Sequence, residues 1–463
     1  MDDMKKNIRR VFWLYFLLFL ITIGYLGNFI IFESEKVITN SYNRRLIALD
    51  QSIKRGNIFS SNGEILAYSE ISDDLFVRRY PFGETFSHVV GYSGRGSAGI
   101  ESRYNFELQR LTNEVIQRIS HSIGGKDLYG NSLVLTIDSD LQRMIYEEFP
   151  VEKGAVVVTE PSTGKILSMV SFPSFDPNGI FENWSTLNSD NQNIPLLNRA
   201  TQALYPPGST FKMLTALAAI ENNADIEDFY YECEGEVYFE ENRVRCFDST
   251  AHGILNLKRA LEVSCNTYFA HIGLELTDEL REVAERVYFN NNLDFELTLS
   301  RSLFLLDEYS TLQKKVQTSF GQGDTLVTPL HTAMLTGAIA NGGFMMQPYI
   351  LDSVVTESGR VRRKNMPVML EQVLQFEHTE ILREMMTGVV DNGTAAPIKI
   401  AQLNIAGKTG TAQNETGLDH SWFVAFAPAE NPQICVSIVL ESSGGGGLSM
   451  ALAKKIIEHA LLS

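Results

Sequence analysis

The N-terminal stretch constrains this chain most, because it contains an uncharged segment long enough to cross a lipid bilayer. Val11–Phe32 reads VFWLYFLLFLITIGYLGNFIIF and contains no Asp, Glu, Lys or Arg. A transmembrane helix needs about 20 mostly apolar residues, whereas a helix at the surface of a soluble core alternates apolar with polar positions. The segment therefore predicts one membrane anchor.

The charges on either side of this segment predict its orientation. Basic residues precede it (Lys5, Lys6, Arg9 and Arg10), and acidic residues follow it (Glu33 and Glu35). Positive charge is retained in the cytoplasm, so the N-terminus is expected there, with roughly 430 residues outside the membrane. A cleaved signal peptide is the weaker interpretation, because the apolar run exceeds a normal h-region and no A-x-A site follows it.

Length and charge limit the organisation and the function. A chain of 463 residues is too long for one small domain. We predict a cytoplasmic tail, an anchor, a small mixed N-terminal domain and a large C-terminal domain at 1–10, 11–32, 33–150 and 151–463. The formal net charge of −17 argues against nucleic-acid binding, which needs a basic face.

The small N-terminal domain has two clear local patterns. RGNIFSSNGEILA (Arg55–Ala67) predicts two strands joined by a turn at Asn62-Gly63. NSLVLTIDSDLQRMIYEEF, which begins at Asn131, predicts a strand followed by a helix whose N-cap is Asp138 or Ser139.

The large domain has strand patterns at both ends and helical patterns between them. GAVVVTEPSTGKILSMVSF begins at Gly154, and GKTGTAQ, SWFVAFAP and QICVSIVLE follow Gly407. Helices are expected from Ser209 to about Met386, and LSMALAKKIIEHALL predicts a last amphipathic helix. This order predicts an α+β or mixed α/β domain whose sheet gathers strands that are distant in sequence.

The segment YPPGSTFK suggests a nucleophile. Two prolines and a glycine precede Ser209, an apolar helical pattern follows, and Lys212 lies three residues on. A serine hydroxyl needs a base to become a nucleophile, and burial lowers the pKa of a lysine enough for it to act as one. Ser209 and Lys212 alone are weak evidence for catalysis, because a capped helix begins the same way and Ser162–Lys165 repeats the spacing in a predicted turn.

Two later groups strengthen this interpretation. Ser264-Cys265-Asn266 offers a second hydroxyl for proton relay and an amide for substrate binding. Lys408-Thr409-Gly410-Thr411 offers a cation, hydroxyls and a glycine on a predicted strand, whose edge could pair with an extended peptide. The order S-x-x-K, S-x-N, K-T-G is that of penicillin-binding proteins and serine β-lactamases.

Other matches are decoys. Ser189-Asp190-Asn191 matches S-D-N literally, but it precedes Ser209 and lies in a polar, loop-like stretch. Gly407-Lys408-Thr409 resembles the end of a P-loop, but Gln402 replaces the required first glycine and a strand pattern follows. The histidines show no metal-ligand spacing, so His252 and His420 are expected to be structural, and neither a metal nor a cofactor is expected.

The cysteines leave one alternative open. Cys233 and Cys246 flank a short polar segment and are either a local disulfide, which an exported chain can keep, or two free thiols. Cys435 lies in an apolar strand pattern and is expected to be a buried small hydrophobe.

The chain resembles a class B penicillin-binding protein, a membrane-anchored peptidoglycan D,D-transpeptidase, of a short single-anchor type. The resemblance covers most of the chain and includes RGNIFSSNGEILA, GIESRYNFEL, LTIDSDLQ, LLNRATQALYPPGSTFK, HGILNL, SFGQGDTLVTPLHTAMLTGAIANGG, AGKTGTA and HSWFVAFAP. It implies a transpeptidase domain like that of serine β-lactamases, with a central antiparallel sheet, helices on both sides and an all-helical part, after a small pedestal-like domain.

The resemblance also implies a role for each motif residue: Ser209 as acylated nucleophile, Lys212 as its base, Ser264 in proton relay, Asn266 in substrate positioning, Lys408 as a source of positive potential, and Thr409, Gly410 and Thr411 in binding the substrate carboxylate and backbone. The backbone N–H groups of Ser209 and Thr411 would form the oxyanion hole. Cys265 stands at the variable position of its triplet and is assigned no chemistry.

The implied reaction forms an acyl-enzyme on Ser209, releases D-Ala from a D-Ala-D-Ala stem peptide, and passes the acyl group to an amine of a neighbouring stem. β-Lactams would acylate and inhibit the same serine. A D,D-carboxypeptidase, a serine β-lactamase and a non-catalytic β-lactam sensor or scaffold are the alternatives. The resemblance further implies a SEDS-type glycosyltransferase as membrane partner.

Overall fold

The computed structural model describes residues 2–29, 54–72, 75–94, 96–109, 129–223, 225–413 and 417–462. Strands in these residues, numbered along the chain, are β1 (Ile58–Phe59), β2 (Ile65–Ser72), β3 (Leu75–Arg79), β4 (Ser132–Leu135), β5 (Gly154–Glu160), β6 (Lys165–Phe172), β7 (Tyr231–Cys233), β8 (Glu236–Phe239), β9 (Asn242–Arg245), β10 (Gly253–Leu255), β11 (Phe344–Met346), β12 (Leu351–Val355), β13 (Val361–Lys364), β14 (Met369–Gln372), β15 (Ala406–Ala412), β16 (His420–Ala427) and β17 (Ile434–Leu440).

The α-helices of the same residues are α1 (Asp2–Asn28), α2 (Ser87–Val90), α3 (Gly99–Arg103), α4 (Asn105–Gln109), α5 (Ser139–Glu147), α6 (Trp184–Ser189), α7 (Lys212–Asn222), α8 (Leu257–Glu262), α9 (Asn266–Glu275), α10 (Thr277–Arg286), α11 (Leu312–Ser319), α12 (Pro329–Ala340), α13 (Phe376–Asn392) and α14 (Gly447–Leu462).

The central sheet of the large domain is antiparallel, with strand order β15-β16-β17-β5-β6. Strand β17, ICVSIVL, is buried at every residue, because α12 packs on one face of the sheet and α5 and α14 pack on the other. Burial on both faces explains why this strand is apolar throughout rather than alternating. The predicted sheet with helices on both sides agrees with this arrangement, and β15 is left at the sheet's edge.

An all-helical part stands beside β15. Helix α7 is its centre and packs against α8, α9, α10 and α13. Its residues from Lys212 to Ala219 are all buried, and its alanines allow the neighbouring helices to approach closely. Lys212 thus begins a helix that lies inside the domain.

The helices expected from Ser209 to about Met386 are present, but short strands that the sequence did not predict interrupt them. Strands β7 to β10 form two small ribbons after α7, and β11 and β14 form another. These strands have three or four residues each. An alternation of so few residues is too short to be told apart from a loop in the sequence.

The second large sheet crosses the boundary predicted at 150/151. Its strand order is β13-β12-β4-β1-β2-β3, so β12 and β13 come from the large domain while the other four strands come from the small one. Two local predictions in this region are confirmed. Strands β1 and β2 form a hairpin through Asn62-Gly63, and the Asp138 side chain caps α5 by accepting from the N–H groups of Asp140 and Leu141.

Helix α1 carries the apolar N-terminal segment. Met4–Asn28 has a mean hydropathy of 1.8 and is long enough to cross a membrane. Its apolar side chains are exposed, as a lipid-facing helix requires. The end of the predicted anchor, from residue 30 to 32, lies outside the described residues.

Candidate active site

Ser209 lies in a single 3-10 turn, Gly208–Phe211, that leads directly into α7. Gly208 has φ +55, and a Cβ there would lie 2.4 Å from the carbonyl oxygen of Thr411, so only glycine lets the turn approach β15 this closely. Ser209 is half-buried, and within the described part of the chain its Oγ has no hydrogen-bond partner. The hydroxyl is therefore available to a ligand.

Lys212 is fully buried and is held by the Ser264–Asn266 turn. Its Nζ donates to Asn266 Oδ1 at 2.6 Å, to Ser264 O at 2.8 Å and to Ser264 Oγ at 3.2 Å. Burial lowers the pKa of Lys212 to about 8, although the thiols of Cys265 and Cys246 oppose this shift. An appreciable fraction of the amine is neutral near physiological pH and can accept a proton.

Ser264 occupies a sharp turn between α8 and α9. Its φ is +57, which is unusual for a residue with a Cβ and is found mostly where the surroundings hold the backbone firmly. The turn places Ser264 Oγ between two lysine amines, 3.2 Å from Lys212 Nζ and 2.9 Å from Lys408 Nζ. Ser264 therefore connects the two lysines.

Asn266 is the first residue of α9. Its Nδ2 donates to the carbonyl oxygen of Arg245 at 2.8 Å, while its Oδ1 accepts from Lys212. Because both ends of the amide are engaged, its orientation is fixed by the end of β9 on one side and by the buried lysine on the other.

Lys408 is buried in β15. Its Nζ donates to Ser264 Oγ and, at 3.0 Å, to the carbonyl oxygen of Thr409. Burial, and then the positive charge of Lys212, lower the pKa of Lys408 well below its usual value. Among the described ion pairs neither lysine has a carboxylate partner, so the positive charge that remains on the pair is not neutralised by an acidic side chain and favours an anionic substrate.

Strand β15 packs against the Ser209 turn at a glycine. A Cβ at Gly410 would lie 2.8 Å from Trp422 Cβ and 2.9 Å from Thr210 Cγ2. Trp422 Nε1 also donates to the carbonyl oxygen of Pro206 at 3.0 Å. The K-T-G strand and the S-x-x-K turn are thus in direct contact.

The outer side of β15 presents backbone groups to the cleft. In an antiparallel strand the N–H and C=O of one residue point to the same side, and successive residues alternate. The carbonyl oxygen of Thr411 accepts from Gln322 Nε2 at 3.1 Å, so the backbone groups of Thr411 and Thr409 point away from β16. Thr409 Oγ1 lies 2.7 Å from Thr394 Oγ1. This edge can pair with an extended peptide.

The two decoy serine motifs, Ser162–Lys165 and Ser189–Asn191, lie apart from this cluster. Ser162 is exposed in the turn between β5 and β6, and Lys165 lies 3.6 Å from Glu160. Asp190 follows α6, and its carboxylate accepts from the N–H of Asn193 in the same loop. Neither Ser162 nor Ser189 contributes to the hydrogen bonds around Lys212.

A cluster that the sequence did not predict lies at the Ser264–Asn266 turn. The Sγ atoms of Cys233 and Cys246 are 3.7 Å apart, as are those of Cys246 and Cys265, and His252 Nδ1 is 3.4 Å from Cys233 Sγ. All four cysteines are free thiols, which decides against a Cys233–Cys246 disulfide. Three thiols and an imidazole form a ligand set that suits Zn²⁺. The spacing along the chain is too irregular to indicate such a site.

Family models match two parts of the chain. The model described as the penicillin binding protein transpeptidase domain matches residues 154–458, more than half of the chain. The chain belongs to the penicillin-binding protein transpeptidase family. A second model, the penicillin binding protein A dimerisation domain, matches residues 55–133.

Individual members of this family are similar over most of the chain. Peptidoglycan D,D-transpeptidase MrdA of Acinetobacter baumannii is 32% identical, and the alignment covers 83% of this chain and 66% of MrdA, just under two thirds of its length. A D,D-transpeptidase domain from Eggerthella lenta is 34% identical, with a TM-score of 0.81 and coverage of 89% of this chain and 99% of that one.

A relative with a bound β-lactam is also similar. The ceftriaxone acyl-enzyme of Mycobacterium tuberculosis penicillin-binding protein A is 29% identical, with a TM-score of 0.83 and coverage of 90% of this chain and 100% of that one. The predictions of a class B penicillin-binding protein, of its transpeptidase fold and of a serine-type peptidoglycan D,D-transpeptidase are therefore confirmed.

Proposed function

We propose that Ser209 is the nucleophile of this transpeptidase and forms an acyl-enzyme with a D-Ala-D-Ala stem peptide. One observation carries the proposal. The Ser209 turn contacts β15 and opens α7, and α7 begins with a buried lysine hydrogen-bonded to the Ser264–Asn266 turn. This brings the three motifs together around one available hydroxyl.

Acylation follows from these positions. The neutral amine of Lys212 accepts the Ser209 proton as Oγ attacks the carbonyl carbon between the two D-alanines. The negative charge that develops on the carbonyl oxygen is stabilised by the backbone N–H groups of Ser209 and Thr411, each donor contributing about 3 kcal/mol. As the C–N bond breaks, Ser264 relays the proton to the departing nitrogen and D-Ala leaves.

The remaining residues hold the substrate. Thr409 and Thr411 bind the terminal carboxylate, and Lys408 supplies the positive potential that favours it. Gly410 lets the peptide backbone lie along β15, and Asn266 positions an amide of the stem peptide. A β-lactam, whose carboxylate and amide resemble those of the substrate, would be bound by the same groups.

An amine of a second stem peptide then attacks the acyl-enzyme, and the proton moves in reverse through Ser264 and Lys212. If water attacked the acyl-enzyme in place of the amine, the reaction would be that of a D,D-carboxypeptidase. We propose transpeptidation because the similar relatives bear that name. Every step uses groups of this chain and of its substrates.

The chain is anchored in the membrane by α1. We propose that the basic residues before the apolar run hold the N-terminus in the cytoplasm, which places the catalytic domain outside. The division at 1–10, 11–32, 33–150 and 151–463 is part of this proposal, although one sheet joins the last two segments. The exposed apolar surface of α1 also suits a membrane partner, for which a SEDS-type glycosyltransferase is proposed.

Benzylpenicillin and intact-protein mass spectrometry test the nucleophile. The wild-type chain is expected to give one adduct on the Ser209 peptide, and Ser209→Ala is expected to give none while melting at the same temperature. Ser189→Ala, in the decoy triplet, is the matched control and should acylate normally. Full acylation of folded Ser209→Ala would refute the assignment. Products formed from glycan strands with pentapeptide stems then distinguish the two reactions. Transpeptidation gives cross-linked dimers, whereas carboxypeptidation gives tetrapeptides.

A further inference from the structure

The side chain of Gln322 already occupies part of the β15 edge at which the proposed substrate would pair. Its Nε2 donates to the carbonyl oxygen of Thr411 at 3.1 Å, and its Oε1 accepts from the N–H of Gln413 at 3.4 Å. A side-chain amide carries the same kinds of donor and acceptor as a peptide backbone. Gln322 therefore takes one acceptor and one donor of this edge, as an added strand would.

Both carbonyl oxygens that Thr409 and Thr411 present on this edge are engaged. The oxygen of Thr409 accepts from Lys408 Nζ at 3.0 Å, and the oxygen of Thr411 accepts from Gln322. A peptide that pairs with β15 donates its own N–H to a carbonyl oxygen of the edge. The substrate therefore competes with Lys408 or with Gln322 for an acceptor.

The proposed oxyanion hole decides for which oxygen the substrate competes. Two residues that form a hydrogen-bonded antiparallel pair exchange both of their N–H···O bonds. The reacting carbonyl belongs to the penultimate D-Ala of the stem peptide and would accept from the N–H of Thr411. The N–H of that D-Ala is then directed at the carbonyl oxygen of Thr411, which is the oxygen that Gln322 holds.

Gln322 is the donor that can leave. Its two contacts with β15, at 3.1 and 3.4 Å, are longer than the usual N–H···O distance of about 2.9–3.0 Å. Its side chain is half-buried and uncharged, so water can take the place of β15. Lys408, in contrast, is fully buried and also donates to Ser264 Oγ at 2.9 Å.

The backbone that carries Gln322 is held in place, so its side chain can leave β15 alone. Gly321 has φ +80, and a Cβ there would lie 2.0 Å from the carbonyl oxygen of Gly208. The N–H of Gln322 itself donates to the carbonyl oxygen of Gln317 at 2.9 Å. A change of side-chain rotamer therefore frees the Thr411 oxygen without moving the Ser209 turn.

We propose that Gln322 is a placeholder on β15, which holds the Thr411 oxygen in the free enzyme and yields it to the amide N–H of the substrate. This inference rests on the proposed acylation of Ser209. It makes Gln322 a specificity-determining residue. A ligand with an amide N–H on the carbon next to its reacting carbonyl replaces the displaced hydrogen bond, whereas a ligand without that N–H gains nothing by displacing Gln322.

Acylation of the full-length chain by two penicillins tests this inference. Benzylpenicillin carries an amide N–H on the carbon next to the β-lactam carbonyl, whereas penicillanic acid carries only hydrogen there. The net contribution of one neutral hydrogen bond corresponds to about fivefold in rate, so benzylpenicillin should acylate Gln322→Ala about fivefold faster than the wild type. The rate with penicillanic acid should not change. Gln313→Ala, exposed in α11, is the matched control and should leave both rates unchanged.

The ratio of the two rates is decisive, because a merely structural role of Gln322 would change both rates by the same factor. An unchanged or lower preference of Gln322→Ala for benzylpenicillin would overturn the placeholder. If this variant does not fold, the structure of the wild-type benzylpenicillin acyl-enzyme decides. The ligand's amide nitrogen should replace Gln322 Nε2 at the Thr411 oxygen, and a retained Gln322 bond would overturn the inference.

The same rates separate this inference from the proposed function. A wild-type chain that forms no adduct on Ser209 would refute the proposed function and the placeholder with it. A normal Ser209 adduct together with an unchanged ratio of rates in Gln322→Ala would refute the placeholder alone.

Discussion

At the residue scale, the proposed base is a lysine whose charged form is disfavoured by burial. Lys212 has Ser264 and Asn266 as hydrogen-bond acceptors and has no carboxylate among its described partners. The groups that face it and can carry charge are Lys408, on the far side of Ser264, and the thiols of Cys246 and Cys265. Its pKa of about 8 therefore depends on a balance between burial and the opposing thiols.

This pKa predicts the pH dependence of acylation. Only the neutral amine can accept the Ser209 proton, so the acylation rate by benzylpenicillin should rise as pH increases through about 8 and then level off. Rates measured by time-resolved mass spectrometry across mildly acidic to alkaline buffers check this. Lys165→Met, in the decoy pair, should leave the profile unchanged. A rate that is flat or that falls over this range would contradict the assignment of Lys212 as base.

At the element scale, the catalytic geometry depends on contact between the 3-10 turn and β15. Gly208 N donates to the carbonyl oxygen of Gly321 at 2.9 Å, and Gly208 and Gly410 each leave room for the other element's backbone or side chains. The backbones of the turn, of the loop at Gly321 and of β15 are therefore in direct contact, so Ser209 cannot move far without moving β15.

The substitution Gly208→Ala tests this packing. Its methyl group would meet the Thr411 oxygen at 2.4 Å, and its φ of +55 disfavours any residue other than glycine. A displacement of about 1 Å at a reacting group can reduce a rate by about 100-fold, and we expect a loss of that order in acylation. Gly445→Ala, with nothing within 4 Å of its Cβ, is the control. Equal rates in both variants would show that the contact is dispensable.

At the scale of the whole molecule, the small N-terminal unit is held together by a buried charge cluster. Glu101 accepts from Arg55 Nε and Arg78 Nε, both at 2.6 Å, and all three side chains are buried or nearly so. The two arginines lower the pKa of Glu101 against the opposing effect of burial. The cluster joins α3, β3 and the segment before β1. Strands β1 and β3 belong to the sheet that β12 and β13 complete.

Removal of this carboxylate should therefore destabilise the unit. Glu101→Ala removes the carboxylate that balances the charge of two buried guanidinium groups and is expected to cost about 3–5 kcal/mol of unfolding free energy. Glu70→Ala removes the exposed pair with Arg79 and should cost about 0–1 kcal/mol. Urea unfolding measures both. Because the cleft is built from other residues, folded Glu101→Ala should still react with benzylpenicillin. An equal loss of unfolding free energy in Glu101→Ala and Glu70→Ala would contradict the stabilising role of the buried cluster.

The sequence alone determined the features that depend on neighbouring residues. The length and hydropathy of the N-terminal run identified a helix that can span a membrane, turn residues located the β1–β2 hairpin, and Asp138 marked the start of α5. The order of the three motifs predicted the catalytic groups, and this assignment stays a prediction. Each of these signals is local, since it depends on side-chain periodicity, on capping or on a spacing of a few residues.

Only the tertiary structure decided the contacts between distant segments. Ser264 reaches Lys212 across 52 residues and Lys408 across 144, β12 and β13 complete a sheet begun by the small domain, and His252 joins the cysteine cluster. No local pattern encodes these contacts, because strand pairing and helix packing choose partners by the burial that the whole chain achieves. The sequence therefore supplied the candidate catalytic groups, while long-range packing placed Ser264 between two buried lysines and gathered the thiols beside it.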